Sequence, residues 1–233
     1  HLNPFRMTDA YYRNAKQLGA EFSFHEEVQG IDNKNDHYLV RTDRRVIETK
    51  NLINAAGPQA GVIGEMVGLE LPVHAERHEI LVTEPVERMQ GPMVMSFGKN
   101  LYCQQVPHGG FIMGRSTPGE PPSFNISSSW QFLDEMAKTI CEILPPLGKL
   151  RVTRQWAGSY IMTPDRQPII GKTKLPGFYL AIGFSGHGFM FAPMTGLLLA
   201  EIILGEEPSL PVDGLGLERF ESGKISAYEK SVV

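Results

Sequence analysis

The stretch Ala181-Ile182-Gly183-Phe184-Ser185-Gly186-His187-Gly188-Phe189-Met190-Phe191-Ala192-Pro193 constrains this chain more than any other. An apolar, strand-like run, Phe178–Ile182, enters it, and an apolar run of helical length leaves it. Gly183, Gly186 and Gly188 remove Cβ atoms where the main chain must turn, so backbone N–H groups can approach another group closely. Pro193 suits a first helical position, which predicts a helix over Pro193–Leu204 with its positive end facing the glycines. That helix is apolar nearly all round and is expected to be buried. The same stretch also reads as a plain tight strand–helix connection. Its order is GxxGxG rather than GxGxxG, and no glycine-rich first βα turn occurs elsewhere, so the usual dinucleotide phosphate loop is missing from this chain.

The rest of the pattern is mixed. A helix is predicted over Thr8–Leu18, capped by Thr8 or Asp9 and closed by Gly19. Short strands follow at Glu21–His25, Val28–Asp32, His37–Thr42 and Val46–Thr49, with turns at Asn33–Asp36 and Asp43–Arg45. Asn51–Gly57 reads as a short strand ending in small residues, and Pro58–Val67 as a helix closed by Gly68. Strands are predicted at Ala75–Glu84, Met93–Ser96, Asn100–Val106 and Phe111–Gly114, the last two joined at Pro107-His108-Gly109-Gly110. Ser127–Ile143 is the longest helix, stopped by Pro145-Pro146, and Leu150–Tyr160 is a long strand. An amphipathic tail helix is expected over Glu218–Tyr228.

Composition narrows the functional classes. With 22 basic and 26 acidic residues in 233, the net charge of −4 gives no electrostatic footprint for nucleic acid or an anionic membrane. The longest apolar run, Met194–Leu204, is interrupted by Glu201 and is about half of the ~20 residues a membrane span requires. Cys103 and Cys141 form neither a CxxC pair nor a zinc spacing, so a metal site is not expected and a reducing cytoplasm is the default location. The chain starts His1-Leu2-Asn3-Pro4, without an initiator Met or a leader pattern, and is expected to be a piece of a longer protein.

Three stretches acquire meaning together. These are Asn54-Ala55-Ala56-Gly57, then Trp156-Ala157-Gly158 followed by Thr163-Pro164-Asp165 and Pro168-Ile169-Ile170-Gly171, then Gly183–Pro193 with Thr195-Gly196. In this order they resemble the D-amino-acid-oxidase superfamily of FAD-dependent oxidoreductases, the group that includes glycine oxidase and the β subunits of sarcosine oxidase and L-proline dehydrogenase. His1–Phe5 fits the family segment that follows an Asp-Gly pair, and Arg219-Phe220-Glu221-Ser222-Gly223 leans toward the β-subunit branch. The resemblance covers nearly the whole chain.

It implies an α+β, mixed α/β fold. Residues 1–72 would be the C-terminal part of an FAD-binding domain and residues 73–158 a substrate-binding domain with a large, mostly antiparallel sheet flanked by helices. Residues 159–233 would return to the FAD-binding domain and end in a C-terminal helix. It implies oxidation of the C–N bond of a small amino or imino acid (sarcosine, proline, glycine or a D-amino acid) by hydride transfer to flavin N5. The N-terminal GxGxxG part would be missing, leaving the chain inactive alone. Partner subunits in a hetero-oligomer are implied as possible associates. The alternative is a non-catalytic, flavin-free or structural subunit that docks others.

By the same resemblance, Val28 faces the adenine through its backbone, Ala56 and Gly57 pass close to the cofactor, and the loop Gly183, Phe184, Ser185, Gly186, His187, Gly188, Phe189 and Met190 holds the flavin. A run of bare main-chain donors around Gly186 is the physical reason assigned to it. His187 reads as a flavin neighbour or a satisfied loop histidine, rather than a base. Several relatives clamp the substrate carboxylate with an arginine after the WAG triplet, whereas this chain has Ser159-Tyr160-Ile161-Met162. Tyr102, Tyr160, His78, Gln104 and Arg115 are the candidates for the substrate side, each also readable as structural. Neither cysteine lies just before the Thr163-Pro164-Asp165 turn, so no covalent flavin bond is expected from this region.

Overall fold

A computed structural model of the chain describes residues 2–221. The mixed α/β architecture is present, arranged as three sheets with helices on their faces. The first element, α1 (Pro4–Gln17), starts earlier than the Thr8 cap implied. Asn3 accepts from the Arg6 N–H and Pro4 occupies the first turn, so this Asn-Pro pair outcompetes Thr8 and Asp9. No residue of α1 is buried. The expected strand at Glu21–His25 does not form. Its alternating aromatics are used locally, Phe22 and Phe24 lying with ring centres 4.7 and 5.7 Å from that of Tyr12 on α1.

A meander of β1 (Val28–Asn33), β2 (Tyr38–Thr42) and β3 (Val46–Thr49) makes the first antiparallel sheet. β4 (Leu52–Asn54) leads through a 3-10 turn, Gly57–Gln59, into α2 (Ala60–Met66). The second sheet is mixed: β10 (Ile169–Lys172) pairs antiparallel with β11 (Phe178–Ile182), which pairs parallel with β4. One core joins these two sheets and α2 through Tyr38, Val40, Ala60, Ile169, Phe178 and Leu180.

The third sheet has five strands, ordered β6 (Val94–Ser96), β7 (Leu101–Gln105), β8 (Phe111–Ser116), β5 (His74–Thr83) and β9 (Val152–Met162), all antiparallel. β9 runs past residue 158 to Met162 without a break. α3 (Trp130–Ile143) covers one face of this sheet. Phe132, Met136 and Ile140 pack on Leu81, Leu101, Phe111 and Met113 from alternate strand positions. Its cap is Ser129, whose hydroxyl accepts from the Phe132 N–H while donating to the buried carboxylate of Glu79 on β5.

The last long helix, α4 (Gly188–Leu204), departs from expectation in two ways. It starts at Gly188, so Pro193 lies inside it rather than at its start, and Phe189 and Met190 are helical. It is also buried on one side only. Leu198, Leu199 and Ile202 pack on Ile170 and Tyr179, while Phe189, Met190, Phe191, Met194 and Leu197 face outward. Hydrophobicity all round gave no information about which side meets the sheet. A short helix, α5 (Glu218–Glu221), ends the described chain, and the rest of the expected tail helix lies outside the described residues.

Candidate functional site

The site grows from the carboxyl end of β11. Gly183 (φ 72°), Ser185 (φ 48°) and Gly186 (φ 93°) turn the chain through left-handed backbone into α4. Gly183 is held against Thr163: a Cβ there would collide with the Thr163 methyl group. Thr163 in turn donates to the Gln167 carbonyl at 2.8 Å and to Asp165 at 3.1 Å. Asp165 is fully buried. It accepts from Arg219 at 2.8 and 3.1 Å and from the Gln167 N–H. Burial pulls this carboxyl upward, but the Arg219 and Gln167 bonds outweigh it and hold it below the usual carboxylate range. Arg219 also donates to the Leu215, Gly216 and Gln167 carbonyls, so α5 is pinned to the turn that supports the glycine loop.

The expected run of bare amides is shorter than the sequence implied. The Ser185 N–H donates to Ile161 O at 3.0 Å and the His187 N–H to Phe184 O at 2.8 Å, so two amides are spent on the loop's own fold. Donors remain at the start of α4, where His187 occupies the cap position and its side chain makes no capping bond. The first turn of a 17-residue helix there places positive dipole end and N–H groups together.

β9 carries the sheet to this loop. A Cβ on Gly186 would sit 2.5 Å from the Tyr160 ring. The other side of Tyr160 lies flat on His78 of β5, with ring centres 3.7 Å apart and planes at 14°. Tyr102 of β7 lies across Gly114 of β8, again in space a Cβ would occupy. Tyr102, Gln104, His78, Gly158, Tyr160 and Trp156 therefore alternate onto the face opposite α3. His78 is nine-tenths buried, and burial lowers its pKa to about 4, so the imidazole is neutral at ordinary pH. Burial raises both phenols, Tyr102 strongly, leaving two neutral hydroxyls beside a neutral ring.

The remaining candidates divide. The Gly57 turn packs beside β9, with Gly57 at φ 54° and its Cβ direction open, which brings Ala56 and Gly57 to the loop end of the sheet. Asn54 fixes that turn by donating to Ala60 O at 2.9 Å and accepting from the Ala56 N–H. Arg115 does not join the group: it faces α3 and lies 3.6 Å from Glu135. Val28 opens β1 and is half-buried against the core shared by the first and second sheets, not against the five-stranded sheet. Cys103 is a buried free thiol pushed up to about 11 by burial, and Cys141 is free and exposed. Sequence reasoning gave Thr163, Gly158 and Trp156 only as motif residues, without a place in the site, and did not single out Gly114. Gly114 and Gly158 were detectable, because glycine within a strand marks a bulge or a close approach.

These residues fit a flavin. Glycines remove side chains where loop and sheet meet, the uncapped start of α4 suits an electron-rich edge, and His78 Nδ1 is a buried atom without a hydrogen-bond partner. The comparisons agree. The chain is 27% identical over 216 residues to sarcosine oxidase subunit beta of Rhodobacter capsulatus, covering 92% of this chain and 52% of the relative. It is 29% identical to hydrogen cyanide synthase subunit HcnC of Pseudomonas protegens, covering 91% and 50%. The chain thus spans about half the length of these curated relatives. The solved L-proline dehydrogenase from P. horikoshii matches at TM-score 0.88 and 36% identity, over 94% of this chain and 60% of that one. Glycine oxidase from Geobacillus kaustophilus shares the fold at TM-score 0.81 and 21% identity, over 88% and 55%. Residues 1–202 match the family model described as DAO, FAD dependent oxidoreductase, and the chain belongs to that family.

Proposed function

We propose that the protein containing this chain oxidises the C–N bond of a small amino or imino acid, using FAD. Sarcosine, proline, glycine and D-amino acids are the candidate substrates. One observation carries the reading: the Tyr160 ring bridges the glycine loop and the sheet face opposite α3, so the residues assigned to cofactor and substrate would share one wall. Domain roles would follow the three segments 1–72, 73–158 and 159–233, with the five-stranded sheet as substrate domain and its last strand, β9, running on to Met162 in the third segment. The catalytic unit would need a GxGxxG segment preceding His1, and the chain alone is expected to be inactive.

Bound FAD would supply the two-electron acceptor. Gly183–Met190, with Ala56 and Gly57, would hold it, and Val28 would meet its adenine end. The start of α4 favours negative charge on whatever lies against it, through the helix dipole and the first-turn amides. Tyr102 and Tyr160 keep their protons and present neutral donors, and His78 stays uncharged. These three groups are thus uncharged, and the nearest charge on their face is Glu76, directly across the ladder from Tyr160 and paired with His74. Gln104 and Trp156 extend that face toward β7 and the outer end of β9.

The relatives named as subunits support an association with partner chains. No described helix is long and apolar enough to cross a membrane. The test is the full-length gene product: visible flavin absorbance, then a panel of sarcosine, L-proline, glycine and D-alanine with a dye acceptor, with and without oxygen. Flavin and turnover of one panel member are expected. A flavin-free protein that only assembles with other subunits would establish the non-catalytic alternative.

A further inference from the structure

Among the described residues, His78 Nδ1 and Arg115 Nε are the buried side-chain nitrogens without a hydrogen-bond partner. Arg115 faces α3, but His78 lies at the centre of the site. Its ring makes one close ring contact, the flat stack on Tyr160. Across the ladder His78 sits opposite Gly158 on β9 and Ser116 on β8. Nothing lies within 4 Å of the Cβ position at Gly158, so the surface beside Tyr160 on its own strand is vacant. Tyr160 therefore lies between Gly186 and the His78 ring, with open space over Gly158 beside it.

We infer that His78 is a positioning residue, whose ring rather than its nitrogens holds Tyr160 against Gly186 and so sets the shape of the wall that meets the small amino or imino acid. This rests on the function proposed above. The stack itself supports it, since the two rings lie 3.7 Å apart with planes at 14°. The neutral state imposed by burial supports it too, since an uncharged imidazole stacks as an aromatic ring.

The test uses the full-length protein with His78→Phe and His78→Ala. The probes are methoxyacetate and tetrahydrofuran-2-carboxylate, the oxygen analogues of sarcosine and proline, which cannot be oxidised as amines. Their dissociation constants are read from the change in the flavin spectrum and by calorimetry. H78A is expected to weaken binding of the preferred analogue roughly 10-fold to 100-fold, the scale of an ångström-sized misplacement. H78F should restore it to within about twofold, because a ring of similar shape refills the stack. An H78F protein as impaired as H78A, or an H78A protein that binds as tightly as the parent, overturns the inference. If the protein carries no flavin, the functional reading fails separately. Crystal structures then decide the positioning claim: Tyr160 should move over Gly158 in H78A, and an unmoved ring overturns it.

Discussion

Gly186 meets two demands that no other residue satisfies. Its φ of 93° lies in the left-handed region, and its missing Cβ leaves room for the Tyr160 ring. Gly186→Ala should therefore cost about 2–4 kcal/mol, combining left-handed strain with overpacking, and thermal unfolding of the variant will show it. His78 links the site to pH. Its ordinary value of 6.5 falls to about 4 in the fold, so between these values the unfolded chain binds more protons. Stability should be complete above about pH 6.5 and decline as pH falls toward 4, by roughly 2–3 kcal/mol. Denaturant titrations at pH 7 and pH 4.5 measure the slope, and His78→Phe should flatten it. The loop glycines were legible because residue type alone fixes where left-handed backbone is cheap. The stack of His78 on Tyr160 was not, because it depends on strand register between residues 82 positions apart.

At the scale of elements, the TPD turn and α5 act as one brace. Asp165 and Arg219 are 54 residues apart in sequence and both almost fully buried. Asp165→Ala would remove the carboxylate from the buried Arg219 guanidinium, leaving it carbonyl partners in place of that counter-charge, and should cost about 3–5 kcal/mol, measurable by chemical denaturation. The cap of α3 is a smaller case. Ser129→Ala removes both the helix cap and a donor to Glu79, for an expected loss of about 1–2 kcal/mol. Most strands and the long helices were legible from periodicity, since alternation and heptad-like spacing follow directly from backbone geometry. The misplaced boundaries have local causes. Asn3-Pro4 starts α1 early, and Gly188 continues smoothly into α4 although Pro193 suggested a later start. Phe22 and Phe24 alternate as strand residues do, yet they find Tyr12 before they find a neighbouring strand.

Across the whole molecule, two surfaces meet at one end: the face of the five-stranded sheet opposite α3 and the glycine loop backed by α4. Tyr160 is where they touch. Hydropathy could not reveal this, because the apolar outer side of α4 and the apolar core side look alike in sequence. The family motifs did mark both sides of the meeting point, Trp156-Ala157-Gly158 on the sheet and Gly183–Gly188 on the loop. What they left open was which of the substrate-side candidates share a face, and register answers that by separating Arg115 from Tyr102, His78 and Tyr160. The most direct test of this arrangement is the flavin-to-protein ratio of the full-length protein before and after Gly186→Val, measured by visible absorbance with far-ultraviolet circular dichroism as the folding control. The account predicts a parent that carries FAD and a folded variant that has lost most of it; a folded variant that keeps its full complement would contradict it.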